Sequence, residues 1–191
     1  MNGLNPFDQA VMGFVQTHCH NPLADAVFPV ITYLGEGGAL WIILAAALLI
    51  FGRKSGRKTG VLMLLAMLAG LLIGELALKN IVCRPRPFVA FPSYAKALIP
   101  PPSGYSFPSG HSCSSFAAAT VIFMRSRHAC RCFGLPALIL AGLIAFSRVF
   151  LFVHYPTDVL CGAALGVICA FCSTAALKLW QRRREQTLGP H

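Results

Sequence analysis

Residues 60–78, GVLMLLAMLAGLLIGELAL, contain one charged residue, Glu75, between Lys58 and Lys79. A stretch of that length and apolarity satisfies its backbone polar groups by forming a helix, and it approaches the ~20 residues needed to cross a bilayer. Composition agrees: the 191 residues are 56% hydrophobic and 12% charged, with a mean hydropathy of +0.66, outside the range of ordinary water-soluble domains. The chain reads as a polytopic, all-α membrane protein.

Further apolar runs cover residues 22–34, 38–52, 110–124, 135–153 and 159–180, giving about six transmembrane helices in one domain spanning 1–191. The runs 22–34 and 38–52 are shorter than a perpendicular span and are joined by Gly35-Glu36-Gly37-Gly38, which suits a re-entrant hairpin. Met1–Thr17 lacks a basic leader and a small-residue cleavage site, so residues 6–17 read as an amphipathic helix at the interface.

The chain carries sixteen Lys and Arg against six Asp and Glu. Their clustering between apolar runs, with no aromatic-laced basic stripe, speaks against nucleic acid as a partner. Arg53, Lys54, Arg57, Lys58, Arg125, Arg127, Arg131, Lys178 and Arg182–Arg184 mark the cytoplasmic side. Lys79, Arg84, Arg86, Lys96 and Arg148 fall at the opposite ends of the runs. Three polar segments far apart in sequence, around "KNIVCRPRPF", "FPSGHS" and "SRVFLFVHYPTD", are therefore expected to meet at one face.

Their chemistry suits phosphate. Lys79, Arg86 and Arg148 supply cations, two of them guanidiniums able to grip oxygens in pairs. Ser109 and Gly110 stand where a helix begins, a natural anion site whose backbone can be approached closely at Gly110. His111 and His154 supply one imidazole for each side of a displacement at phosphorus, and Asp158 is near enough in sequence to fix the His154 tautomer.

Lys79 through Arg86-Pro87, Pro108-Ser109-Gly110-His111, and Ser147-Arg148 with His154 and Asp158 resemble, in order and spacing, the K-x6-RP, PSGH and SR-x5-H-x3-D signature of the type 2 phosphatidic acid phosphatase superfamily. The resemblance implies a lipid phosphatase that uses no metal or other cofactor. It assigns His154 as nucleophile through a phosphohistidine, Asp158 as its orienting partner and His111 as proton donor to the leaving oxygen. Lys79, Arg86, Ser109, Gly110 and Arg148 then bind the phosphoryl oxygens, with Pro85 and Pro87 turning Arg86 back over the site. Expected substrates are undecaprenyl diphosphate, phosphatidylglycerol phosphate and phosphatidic acid, handled at the extracytoplasmic face of a bacterial inner membrane. A vanadate-dependent haloperoxidase shares the signature, and a non-catalytic lipid-binding protein would share the cations without needing both histidines and Asp158.

Other features have plainer readings. Lys79 or Arg84 alone would be a snorkelling helix end. Glu75, one turn before Lys79, is expected to form a structural ion pair with it. His18-Cys19-His20 reads as a solvated loop rather than a metal site, and Cys169–Cys172 as packing within a helix. Cys83 and Cys113 lie near the same face, where a disulfide is one option.

Overall fold

The computed structural model describes residues 4–126 and 131–188, which form helices and connecting loops with no strand among them. The N-terminal helix α1 (Pro6–Phe14) is capped by Asn5, whose side chain accepts from the Asp8 N–H at 2.8 Å. Helix α2 (Pro22–Leu34) opens in the same way, with Asn21 as cap and Pro22 in the first turn. Helix α3 (Ala39–Phe51) follows, and then α4 (Lys54–Gly70), which runs on through a wider π-helical stretch (Leu71–Leu78) into the short α5 (Lys79–Val82). A one-turn helix α6 (Pro87–Ala90) begins the connection to α7 (Gly110–Arg125), α8 (Arg131–Phe150) and α9 (Pro156–Leu188).

Three segments, 54–90, 133–150 and 156–186, are each long and apolar enough to cross a membrane. The first two apolar runs do become helices, but they do not fold as a hairpin. Helices α2 and α3 meet at 43° and pack on different neighbours, α2 along α8 and α3 along α4. Thr32 meets Arg148, a Cβ at Gly35 would touch Ile144, and one at Gly60 would touch the Ala45 carbonyl. Both helices thus run away from the 148–150 end of α8, as one broken passage. Gly37 and Gly38, at φ +56° and +70°, supply a kink that residues with side chains rarely adopt, and they stop short of a reversal. As a result the N-terminal helix sits on the same face as the three polar segments.

Helix α7 is central, packed on α4, α8 and α9. Its Ala117, Ala118, Ala119 and Val121 are fully buried with Met63, Ala66 and Ile144, and the indole N–H of Trp41 donates to Ser115 Oγ at 2.9 Å. Against it, α9 presents Gly162 and Gly166: a Cβ at the first would strike the Ser109 carbonyl, and one at the second the Cys113 carbonyl. This small-xxx-small crossing brings the start of α7 against the start of α9, where Ser109 N–H donates to the Asp158 carbonyl at 3.1 Å. Large apolar residues such as Ile43, Phe51 and Leu76 remain exposed, as a lipid-facing surface requires.

The basic clusters gather at the far end. Arg125 reaches Thr59 and Ser55, and Lys54, Arg57 and Lys58 face Trp180 and Gln181 across a groove. Arg127 lies outside the described residues, as does the side chain of Arg131. Cys83 and Cys113 do not pair: both are free thiols, one exposed and one buried. His20 is not solvated either, since it pairs with Asp25 at 2.6 Å and lies against the Phe150 ring.

Candidate active site

The turn Leu151–Tyr155 between α8 and α9 is buried rather than facing solvent, covered by Met12 and Val15 from the N-terminal segment and by Phe88, Phe91, Leu98 and Ile99 from the long connection. Pro156 starts α9, so Tyr155 stays outside the helix and the turn ends with His154 aimed inward. Beside it lies a cavity of about 590 Å³. Its lining is mixed: Lys79, Arg86, Gly110, His111, Arg148 and His154 are polar, as are Glu36 and Glu75, while Ile42, Leu64, Met67, Leu68 and Leu71 are hydrocarbon. The three polar segments do meet.

Arg86 is fixed by the connection that it precedes. Its Nε donates to the Gly104 carbonyl (2.9 Å), and its terminal nitrogens donate to the carbonyls of Ser103 (2.9 Å) and Val153 (3.2 Å). The same NH1 stands 3.3 Å from His154 Nε2. A guanidinium offers only donors, so this contact is favourable when Nε2 carries a lone pair and the ring proton sits on Nδ1. That is the nucleophilic tautomer. Burial above all, then the positive charges of Arg148 and Arg86, hold the ring neutral, its pKa pushed down to about 4 against the pull of Asp158.

Asp158 is fully buried and heavily engaged. Oδ1 accepts from Arg84 at 2.6 Å, and Oδ2 accepts from the Ser106 hydroxyl and the Tyr155 N–H. His154 Nδ1 lies 3.7 Å from Oδ2, within ion-pair range but longer than a hydrogen bond. His111 also lines the cavity, and its Nε2 is 3.5 Å from Glu36 Oε2. Lys79 Nζ donates to both oxygens of Glu75 at 2.8 and 2.7 Å, the expected ion pair. A Cβ at Gly110 would collide with that carboxylate, so the glycine is what lets the pair approach the start of α7. Arg148, 3% exposed, donates to Thr32 Oγ1 at 2.6 Å, while its Nε has no hydrogen-bond partner among the described residues. Ser109 does not line the cavity: its hydroxyl faces Ser112 and caps α7, leaving Gly110 to present backbone to the site. Among the described residues no group of three or more His, Cys, Asp or Glu could hold a metal ion.

A family model of the PAP2 superfamily matches residues 59–184. The chain belongs to the PAP2 superfamily. An undecaprenyl-diphosphatase of Sulfolobus acidocaldarius is 35% identical over 135 residues, 70% of this chain and 62% of that protein. One from Bacillus subtilis is 33% identical over 152 residues, 80% of this chain and 74% of that protein. Among solved structures, the PAP2-type phosphatidylglycerolphosphate phosphatase from Bacillus subtilis superposes with a TM-score of 0.73 at 28% identity, covering 93% of this chain and 88% of that one. This PAP2 chain is thus a membrane protein of the phosphoric ester hydrolase class.

Several polar partners of the PAP2 site lie outside the residues that the three motifs single out. Arg84, which alone reads as a snorkelling end, binds Asp158. Ser106 does the same from the long connection. Asp8 is a second acid at the turn, fully buried there, and binds Thr157 and Arg84. Asp8, Thr32 and Glu36 all precede residue 59, where the family match begins. The only sequence signal for Asp8 was an acid three residues after an Asn cap, which a first-turn acid explains without any site.

Proposed function

We propose that this chain is a metal-independent lipid phosphatase that removes a phosphoryl group from a lipid phosphate or diphosphate through a phosphohistidine at His154. The cavity carries the reading: one pocket is lined both by the cations Lys79, Arg86 and Arg148, which suit phosphoryl oxygens, and by apolar side chains of α3 and α4, which suit a lipid chain. His154 Nε2 donates its lone pair to phosphorus as the bond to the leaving oxygen breaks, and His111 on the opposite side gives that oxygen a proton. Water then attacks the phosphohistidine, His111 takes the proton, and inorganic phosphate leaves with His154 restored. Arg86, Arg148, Lys79 and the Gly110 N–H stabilise charge on the equatorial oxygens.

The candidate substrates are undecaprenyl diphosphate and phosphatidylglycerol phosphate, a choice supported by relatives that bear the names undecaprenyl-diphosphatase and phosphatidylglycerolphosphate phosphatase, and phosphatidic acid. The test is phosphate release in detergent from these three lipids with EDTA present. Turnover of at least one, unaffected by EDTA and blocked by vanadate, is expected; strict Mg²⁺ dependence, or peroxidase activity with added vanadate in its place, would overturn the reading.

We place the site at the extracytoplasmic face of a bacterial inner membrane, on the strength of the basic clusters at the opposite end. In sealed right-side-out vesicles, with exposed native cysteines replaced by serine, an impermeant thiol reagent should label Ser103→Cys and Gln9→Cys and spare Ser55→Cys. The opposite pattern would put the site in the cytoplasm.

A further inference from the structure

Asp8 is an acid on the N-terminal helix, fully buried, 150 positions before Asp158 and outside the family match. Its oxygens accept four hydrogen bonds: from Asn5 Nδ2 (2.7 Å), the Thr157 N–H (2.9 Å), the Thr157 hydroxyl (2.7 Å) and Arg84 NH2 (2.8 Å). The other end of the same guanidinium, NH1, donates to Asp158 Oδ1 at 2.6 Å and to Thr157 Oγ1 at 2.8 Å. The Arg84 guanidinium carbon lies over the Tyr155 ring, 3.7 Å from its centroid. One cation is thus held rigidly between two buried carboxylates, of which only Asp158 faces His154.

We propose that Asp8 is a positioning residue of the active site: by taking half of Arg84, it leaves Asp158 with enough negative charge to support the imidazolium that forms when His154 is phosphorylated. The proposal rests on His154 being the nucleophile. Without Asp8, the full positive charge of Arg84 would fall on Asp158, at the moment when the His154 ring gains charge of the same sign. Without Arg84, two carboxylates would share a buried space with no cation between them. The pair therefore acts as a matched insert, and the N-terminal helix completes a site whose reacting groups all lie on later helices.

Opposite charges make opposite predictions, which a general loosening of the fold does not. The groups facing His154 are Asp158 from α9, Arg148 from α8, His111 from α7 and Arg86 from the connection. All stay in place in every variant below. The acid limb of kcat/KM reports protonation of His154 in the free enzyme, and the ionisation of the substrate is common to all variants, so it cancels in the difference. Asp8→Asn removes negative charge, makes protonation of His154 harder and moves the limb to lower pH. Arg84→Gln removes positive charge and moves it to higher pH. Each shift should be of the order of one to two pH units, the effect of a unit charge ~6–12 Å away at an effective dielectric of about 20. The double variant should return close to the original limb, and Arg84→Lys, which keeps the charge, should lose rate without moving it.

Limb shifts of the same sign in Asp8→Asn and Arg84→Gln, or no shift in either, would overturn the proposal. If Asp8→Asn does not accumulate in the membrane, the contrast between Arg84→Gln and Arg84→Lys decides alone. His154→Ala is the control that separates the two readings. Turnover in that variant removes the nucleophile assignment itself, whereas an inactive His154→Ala beside unmoved limbs removes only the role of Asp8.

Discussion

The helices that carry the family match, residues 59–184, and the segment before them meet the same cavity with different chemistry. From the first come the cations and imidazoles that face a phosphoryl group: Lys79, Arg86, His111, Arg148 and His154. From the second come polar partners for those groups and their neighbours. Thr32 binds Arg148, Glu36 faces His111, and Asp8 binds Arg84, which binds Asp158. The difference shows where the burden of specification lies. Groups that meet phosphorus are dictated by the reaction, while what holds and charges them has only to satisfy a buried donor or acceptor, and a separate segment can supply that.

If this division is right, losing a reacting group should cost more than losing its partner, with the same pattern across substrates. His111→Ala should lower turnover of alkyl phosphates and lipid diphosphates by ~10²–10⁴-fold, the usual worth of general acid catalysis. An aryl phosphate such as p-nitrophenyl phosphate, whose leaving group is stable as an anion, should lose much less. Glu36→Gln should show that same asymmetry in smaller measure, because it acts through the His111 proton. Equal losses for alkyl and aryl substrates in His111→Ala would make His111 a phosphate-binding residue and break the comparison on this side of the cavity.

A smaller effect is expected where the partner only holds a cation. A hydrogen bond to a buried charge is worth about 1.5–3 kcal/mol, so Thr32→Val should reduce kcat/KM by roughly tenfold or more, equally for alkyl and aryl substrates. Kinetics unchanged from the parent would mean that Arg148 keeps its place without the N-terminal segment.

The sequence made the reacting groups legible because they come in short blocks, where spacing along a helix or turn fixes which side chains point together. Lys79 to Arg86, Ser109 to His111, and Arg148 to Asp158 are all of that kind. The partners were hidden for the opposite reason. Thr32 lies in the middle of an apolar run, Glu36 in a glycine turn and Asp8 in a first helical turn, where each has an ordinary local explanation, and its partner lies 75 to 116 positions away. The first two runs were recognisable as helices, yet whether Gly35–Gly38 reverses the chain or merely bends it depends on packing against α8 and α4, which no local pattern records. That bend carries consequences, since it decides that α1 lies on the side of the active site. The expected His154–Asp158 pair is close in space, but its carboxylate is already bound by Arg84, Ser106 and the Tyr155 N–H, and those donors come from distant segments or from the turn itself.

The most direct test of the account is to trap the covalent intermediate. A lipid diphosphate or aryl phosphate labelled at the transferred phosphorus is mixed with enzyme and quenched within a turnover, in the presence of EDTA. The account predicts label on the protein that is base-stable and acid-labile, located at His154, enriched in His111→Ala with the aryl substrate, and absent from His154→Ala. Label of acyl-phosphate or oxygen-ester stability, or undiminished labelling and turnover in His154→Ala, would contradict it.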